Sequence, residues 1–173
     1  TSVVYYELYK GTGTPYDSDL KGYWKFEDTQ WKDETDNEYD LTAYGDPSLD
    51  TSGYDGNCVS LDGDDFLYVD DATVLNPSSS WSLTAWIYIT GSTTQNAMIC
   101  GKYQDDNNRW EIRIYNGKIQ GDMLSGGSGP NLAGTTSFSQ NTWYFLCVVF
   151  DDDNDTFSVW VNGSQENSTS TTA

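Results

Sequence analysis

Period-two alternation is the feature that most narrows what this chain can fold into. Residues 81–90 read Trp-Ser-Leu-Thr-Ala-Trp-Ile-Tyr-Ile-Thr. As a strand, this puts Trp81, Leu83, Ala85, Ile87 and Ile89 on one face and Ser82, Thr84, Trp86, Tyr88 and Thr90 on the other. The first face packs inside. Trp86 and Tyr88 suit an outer face that is partly covered or used for binding. Helical periodicity is almost nowhere to be found.

The next signal is a turn. Asn116-Gly117 is the dipeptide best suited to a two-residue hairpin loop, because both positions want positive φ. Closing the hairpin there sets Ile114 opposite Ile119, Ile112 opposite Gly121 and Trp110 opposite Met123 on one face. Glu111, Arg113 and Gln120 take the other. The run 143–150 is apolar on both faces, as in a central strand, and an acidic loop at 151–155 follows it. Then come a strand over 156–161 and a second Asn-Gly turn at 162–163. Shorter strands are expected near 22–26, 59–63 and 66–69. About ten strands separated by Gly- and Asp-rich turns make a sandwich or a barrel.

Composition limits the partners. The 173 residues carry 27 acidic and 8 basic side chains, a formal charge of −19. That surface repels phosphate backbones and anionic membranes, so nucleic acid is not expected as a partner. It attracts cations, although a solvated acidic surface serves solubility equally well. The longest apolar run, 143–150, is too short to span a bilayer, so no membrane insertion is expected. Cys58, Cys100 and Cys147 lack metal-ligand spacing. Cys147 reads as a small core residue, and a Cys58–Cys100 bridge is left open.

Six segments, taken in order, resemble a known family. These are 20–27 (Leu-Lys-Gly-Tyr-Trp-Lys-Phe-Glu) with 33–42, 60–69 (Ser-Leu-Asp-Gly-Asp-Asp-Phe-Leu-Tyr-Val), 81–90, 98–102 (Met-Ile-Cys-Gly-Lys), 141–151 and 158–163 (Ser-Val-Trp-Val-Asn-Gly). Together they resemble laminin-G-like domains of the concanavalin-A-like lectin/glucanase class. The resemblance implies an all-β fold, a two-sheet antiparallel jelly-roll sandwich over 20–166. It also implies an extracellular, cell-surface or virion-surface setting, with glycan or protein ligands and structural calcium.

Two departures stand out. Asp36 and Glu38 replace the family's loop glycines. The chain also stops before the strand that closes the family's sheet; its low-complexity Ser/Thr residues 167–173 read as a linker tail. The segment Val3 to Tyr9, within an N-terminal stretch 1–19, is strand-like. It is expected to pair either with the sandwich or with an identical neighbouring subunit.

Candidate sites follow. In the family's loop Asp33 and Asn37 carry over as calcium ligands, with Asp36 beside them; hard cations take six or more oxygens. A solvated turn is the plainer reading, as it is for the hairpin loop 151–155; Asp62, Asp64 and Asp65 form another acidic cluster, as do Asp105 and Asp106. Trp31, Tyr39, Tyr44 and Tyr103 lie on polar segments and are the candidate rings for stacking on sugars. Trp24, Trp81, Trp143 and Trp160 lie in strands and are expected in the core. Catalysis is disfavoured. Glu27 and Glu111 are isolated strand acids, there is no Glu-x-Asp-x-x-Glu arrangement, and the chain has no histidine. Asn154, Asn162 and Asn167 open glycosylation triplets. The expectation is a non-catalytic recognition module of the lectin or adhesion type. The rival is a structural subunit of a filament or capsid decoration, built by strand exchange.

Overall fold

The structure, a computed structural model, describes residues 2–5, 20–70, 75 and 79–171. These fall into two compact units, Thr1–Asn76 and Pro77–Ala173. No α-helix occurs among the described residues.

The first unit contains β1 (Ser2–Tyr5), β2 (Thr42–Tyr44), β3 (Ser48–Asp50), β4 (Cys58–Leu61) and β5 (Phe66–Tyr68). β4 pairs antiparallel with β1, Val3 opposite Ser60, and with β3, Leu49 opposite Val59. The leading segment therefore pairs within its own chain; residues 6–9 of that expected strand lie outside the described residues. β2 and β5 form a separate antiparallel ribbon. Phe26, Trp31 and Val59 make a small core against which Trp24, Leu41, Leu49, Leu61 and Leu67 pack. Phe26 and Trp31 both adopt left-handed backbone, φ 58° and 50°. Bulky residues rarely do so. Here the turns aim both rings inward, 6.2 Å apart, and burial offsets the strain.

The second unit contains β6 (Trp81–Ile89), β7 (Ala97–Asp105), β8 (Asn108–Tyr115), β9 (Lys118–Leu124), β10 (Asn131–Ala133), β11 (Trp143–Asp151), β12 (Thr156–Val161) and β13 (Ser164–Ser170). Strands β13, β12, β11 and β6 lie side by side, and β10, β9, β8 and β7 form the opposing sheet, all antiparallel. Ala85, Ile87 and Ile89 from β6, Ile112, Ile114 and Ile119 from β8 and β9, and Leu146, Val148, Phe157 and Val159 from β11 and β12 fill the space between. At Gly121 the two sheets approach closely. A Cβ there would lie 2.9 Å from Val148 Cγ2 and Val159 Cγ1.

The hairpin register holds as read from its turn. Asn116 and Gly117 have φ of 49° and 77°, with Ile114 opposite Ile119, Ile112 opposite Gly121 and Trp110 opposite Met123. β11 alternates more cleanly than its composition suggests. Tyr144, Leu146, Val148 and Phe150 are buried, while Trp143, Phe145, Cys147 and Val149 are half-buried on the outer face. There Phe145 meets Trp86 at 5.3 Å and Trp143 meets Tyr88 at 5.2 Å between ring centroids. Trp143 and Trp160 therefore stand on the outer face and not in the core, because strand parity turns them away from Leu146 and Val159. Trp81 does face inward, against Trp110 and Phe157.

The expected linker tail is corrected. Ser164–Ser170 is a strand that returns along β12 after the Asn162-Gly163 turn, Val161 opposite Ser164 and Thr156 opposite Ser170. Its Ser-Gln-Glu-Asn-Ser-Thr-Ser sequence lacks apolar alternation. Backbone ladder bonds hold it, helped by the half-buried Glu166. That carboxylate accepts hydrogen bonds from Thr135 N (2.8 Å), Thr136 N (2.6 Å) and both threonine hydroxyls. All three cysteines are free thiols.

Candidate ligand-binding face

Strand parity that buries Ile112, Ile114, Ile119 and Gly121 turns Arg109, Glu111, Arg113, Gln120 and Asp122 to the opposite face of the β7–β10 sheet. The register sets Glu111 beside Asp122, Arg113 beside Gln120 and Arg109 beside Leu124. Tyr103 and Met98 on β7 stand opposite Arg109 and Arg113, and Asn131 on β10 stands opposite Asp122. Tyr103, Met98 and Asn131 are exposed; Glu111, Gln120 and Asp122 are buried.

The buried centre is an ordered charge network. Asp122 Oδ2 accepts from Arg109 Nε at 3.0 Å, Arg109 Nη2 at 2.9 Å and Arg113 Nη1 at 3.5 Å. Gln120 Nε2 donates to Asp122 Oδ1 at 3.0 Å. Glu111 Oε1 lies 3.0 Å from Arg109 Nε and 3.1 Å from Arg113 Nη1. Arg113 Nε continues to Asn96 Oδ1 at 2.9 Å, and Arg109 Nη1 to the Asp106 carbonyl. Two guanidinium groups thus balance two carboxylates, and no buried side-chain nitrogen or oxygen among the described residues lacks a partner. Burial, and then the neighbouring Asp122 carboxyl group, push Glu111 above the ordinary glutamate value, although Arg113 and Arg109 pull the other way. The carboxylates hold both guanidinium planes in fixed orientations, which is how a protein presents N–H donors without a large entropy loss on binding.

The sequence-predicted residues divide sharply. Tyr103 stands on this face, half exposed, its hydroxyl donating to Asp106 Oδ1 at 2.7 Å. Tyr44 is exposed on the β2–β5 ribbon, stacked on Phe66. Tyr39 is half-buried; its backbone N–H donates to Asp33, and its carbonyl accepts from Trp24 Nε1. Trp31 is corrected: at 6 % exposure it belongs to the core of the first unit, and its ring has no face for a sugar.

Asp33, Asp36 and Asn37 do not fit calcium. Asp33 is buried, and its two oxygens accept from Tyr23 N (2.9 Å), Thr35 N (3.0 Å), Thr35 Oγ1 (2.8 Å) and Tyr39 N (3.1 Å). Four donors fill the acceptor sites of a carboxylate. The carboxylate pins the loop instead. Asn37 turns its amide N–H groups to the Lys21 carbonyl and Thr35 Oγ1, and Asp36 is exposed. Among the described residues, three acidic side chains close enough to share a cation are found at Asp62, Asp64 and Asp65, with oxygens within 4.8 Å of one another. There Asp65 already accepts from Asp46 N and Asp62 N.

Arg109 and Asp122 were the residues that sequence reasoning missed. The hairpin register already placed Glu111, Arg113 and Gln120 together; two more steps of the same parity add the other two.

Two facing antiparallel sheets, one with an ordered polar array on its outer surface, define a jelly-roll sandwich of the lectin type. Residues 61–173 match the model of the concanavalin A-like lectin/glucanases superfamily, and the chain belongs to that superfamily. Among solved structures it is similar to domain 4 of AbnA, a GH43 extracellular arabinanase from Geobacillus stearothermophilus, solved in complex with arabinotriose. That likeness has a TM-score of 0.66 and 20 % identity, covering 87 % of this chain and 75 % of the other, and concerns the fold. No curated protein matches the sequence.

Proposed function

We propose that this chain is a non-catalytic, extracellular glycan-recognition module that holds a sugar chain on the outer face of the β7–β10 sheet. The observation that carries this reading is the charge network itself, locked by mutual hydrogen bonds on the sheet surface turned away from the core, beside the exposed Tyr103 ring. Arg109, Arg113 and Asn131 supply donors and acceptors for hydroxyls, and Tyr103 supplies an apolar face for sugar C–H groups. The formal charge of −19 favours a neutral chain over an anionic polysaccharide. A fold neighbour solved with arabinotriose supports the ligand class.

The binding role is favoured over hydrolysis by the same geometry. A glycosidase needs two carboxyl groups flanking the scissile bond, one free to protonate the leaving oxygen. Here Glu111 and Asp122 are buried beneath the same two arginines. The test is calorimetry against a panel of neutral oligosaccharides. Binding should weaken roughly tenfold or more in Arg113→Ala and Tyr103→Ala, as expected when one directed contact worth about 1.4 kcal/mol is lost. No reducing ends should be released from any panel member. A panel without a binder, or binding indifferent to both substitutions, refutes the assignment.

A further inference from the structure

The β2–β5 ribbon in the first unit carries a second set of rings. Strand parity sends Leu67 into the small core and turns Tyr44, Phe66 and Tyr68 outward, 59 %, 47 % and 42 % exposed. Tyr44 and Phe66 are directly opposed in the ladder and stack with centroids 4.5 Å apart and planes 17° from parallel. The Phe66 and Tyr68 rings are 5.9 Å apart. Scattered exposed apolar side chains need no explanation, but three contiguous large rings on one short ribbon do.

Their surroundings restrict the partner. Gly45 and Asp46 follow Tyr44, and Asp62 to Asp65 precede Phe66. The Asp46 N–H donates to Asp65 Oδ1 at 2.8 Å, which ties the two acidic segments together at this end of the ribbon. Asp62 and Asp64 are exposed. Apolar ring faces bordered by carboxylate acceptors match a pyranose or furanose, which offers a C–H face and a rim of hydroxyl donors. An anionic partner is repelled. So is a second copy of this chain, which would bring another −19 charge and the same aspartates against them.

We propose that the Tyr44–Phe66–Tyr68 ribbon is a second sugar contact, stacking a neutral sugar ring and accepting its hydroxyls at Asp62 and Asp64. This inference rests on the glycan-binding reading above and adds a second contact to it.

The test uses the full chain. Neutral oligosaccharides of three to six sugars and the corresponding soluble polymers are titrated against wild type, a Tyr44→Ala/Phe66→Ala/Tyr68→Ala variant and Arg113→Ala. In wild type, nitration of Tyr44 and Tyr68 is followed by peptide mapping with and without saturating oligosaccharide. This second readout needs no substitution and so does not depend on the variant's folding. The expected results are a loss of roughly tenfold or more in polymer affinity for the triple variant, as for the loss of one directed contact, and several-fold slower nitration of both tyrosines when sugar is bound. Sugar binding that is lost in Arg113→Ala but leaves Tyr44 and Tyr68 unprotected overturns this inference alone. Absence of any sugar binding overturns both readings. Protection by polylysine and not by sugar overturns it in favour of a basic polypeptide partner.

Discussion

Removing the Asp122 carboxylate should be the most damaging single change to the polar face. Asp122 is fully buried, and Arg109, Arg113 and Gln120 all donate to it. In Asp122→Ala, two guanidinium groups are left facing one carboxylate, Glu111, and the buried cluster gains a net positive charge. Breaking a buried ion pair from one side costs about 3–5 kcal/mol. The Arg109 and Arg113 side chains retain 10 % and 18 % exposure, so water reaches their outer atoms and the lower end applies. At about 3 kcal/mol, and 2–4 °C per kcal/mol for a chain of this length, Tm should fall by roughly 6–12 °C. The assay is reversible urea and thermal unfolding followed by tryptophan fluorescence. Arg109→Met is then added to Asp122→Ala, which restores a neutral cluster of Arg113 with Glu111. The double variant should be more stable than the sum of the two single losses implies, by at least about 1.5 kcal/mol, the lower end measured for close charge pairs. A loss below about 1 kcal/mol for Asp122→Ala, or additivity in the cycle, would refute the claim that this network is one coupled unit.

Further outcomes follow from individual contacts. Burial works against the Glu166 charge, but the hydrogen bonds from Thr135 and Thr136 outweigh it and lower its pKa to about 2 from 4.5. Because the folded value lies below the unfolded one, the stabilisation is complete above about pH 4.5 and is lost as pH falls towards 2. Glu166→Gln should therefore be less stable than wild type at pH 7, with the gap narrowing in acid melts. Asp33→Ala strips four donors of their acceptor and should cost about 1–3 kcal/mol or more, since buried unpaired donors carry that penalty each. Millimolar calcium should not restore it in a thermal shift assay. Gly121→Ala pushes a methyl group into Val148 and Val159 at 2.9 Å and should cost about 1–3 kcal/mol by chemical denaturation.

What was legible in the sequence was whatever the backbone enforces locally. An Asn-Gly pair fixes a hairpin register, and parity then dictates which side chains share a face; β8 and β9 were readable for that reason. Parity also held for β6, where Trp86 and Tyr88 lie on the outer face. It was overruled by hydrophobicity at Trp143 and Trp160, where an apolar residue in a strand was equated with a core residue although its neighbours in the alternation already filled the core. β13 was invisible for the opposite reason. Its stability comes from ladder bonds along β12 and from Glu166 reaching Thr135 and Thr136, and no composition rule registers either. Trp31 shows the limit of reading loops as surface: polar neighbours surround it in sequence, but a left-handed backbone at φ 50° folds its ring inward.

The same distinction separates the Asp33 loop from the polar face. Asp33 occurs in a motif whose residue types suit a cation, but motif spacing cannot tell whether a carboxylate's lone pairs are already taken by the loop's own N–H groups. That is settled by backbone path, and here Glu38 lies at φ 55° between Asn37 and Tyr39, the latter donating its N–H to Asp33. In the polar face the decisive constraint is parity across three adjacent strands, and parity is written in the sequence once the turn is found. A site assembled by strand register can therefore be inferred from one hairpin, whereas a site assembled by loop hydrogen bonds requires the fold. For this chain the firmer physical basis belongs to the polar face, whose residues are placed by sheet register.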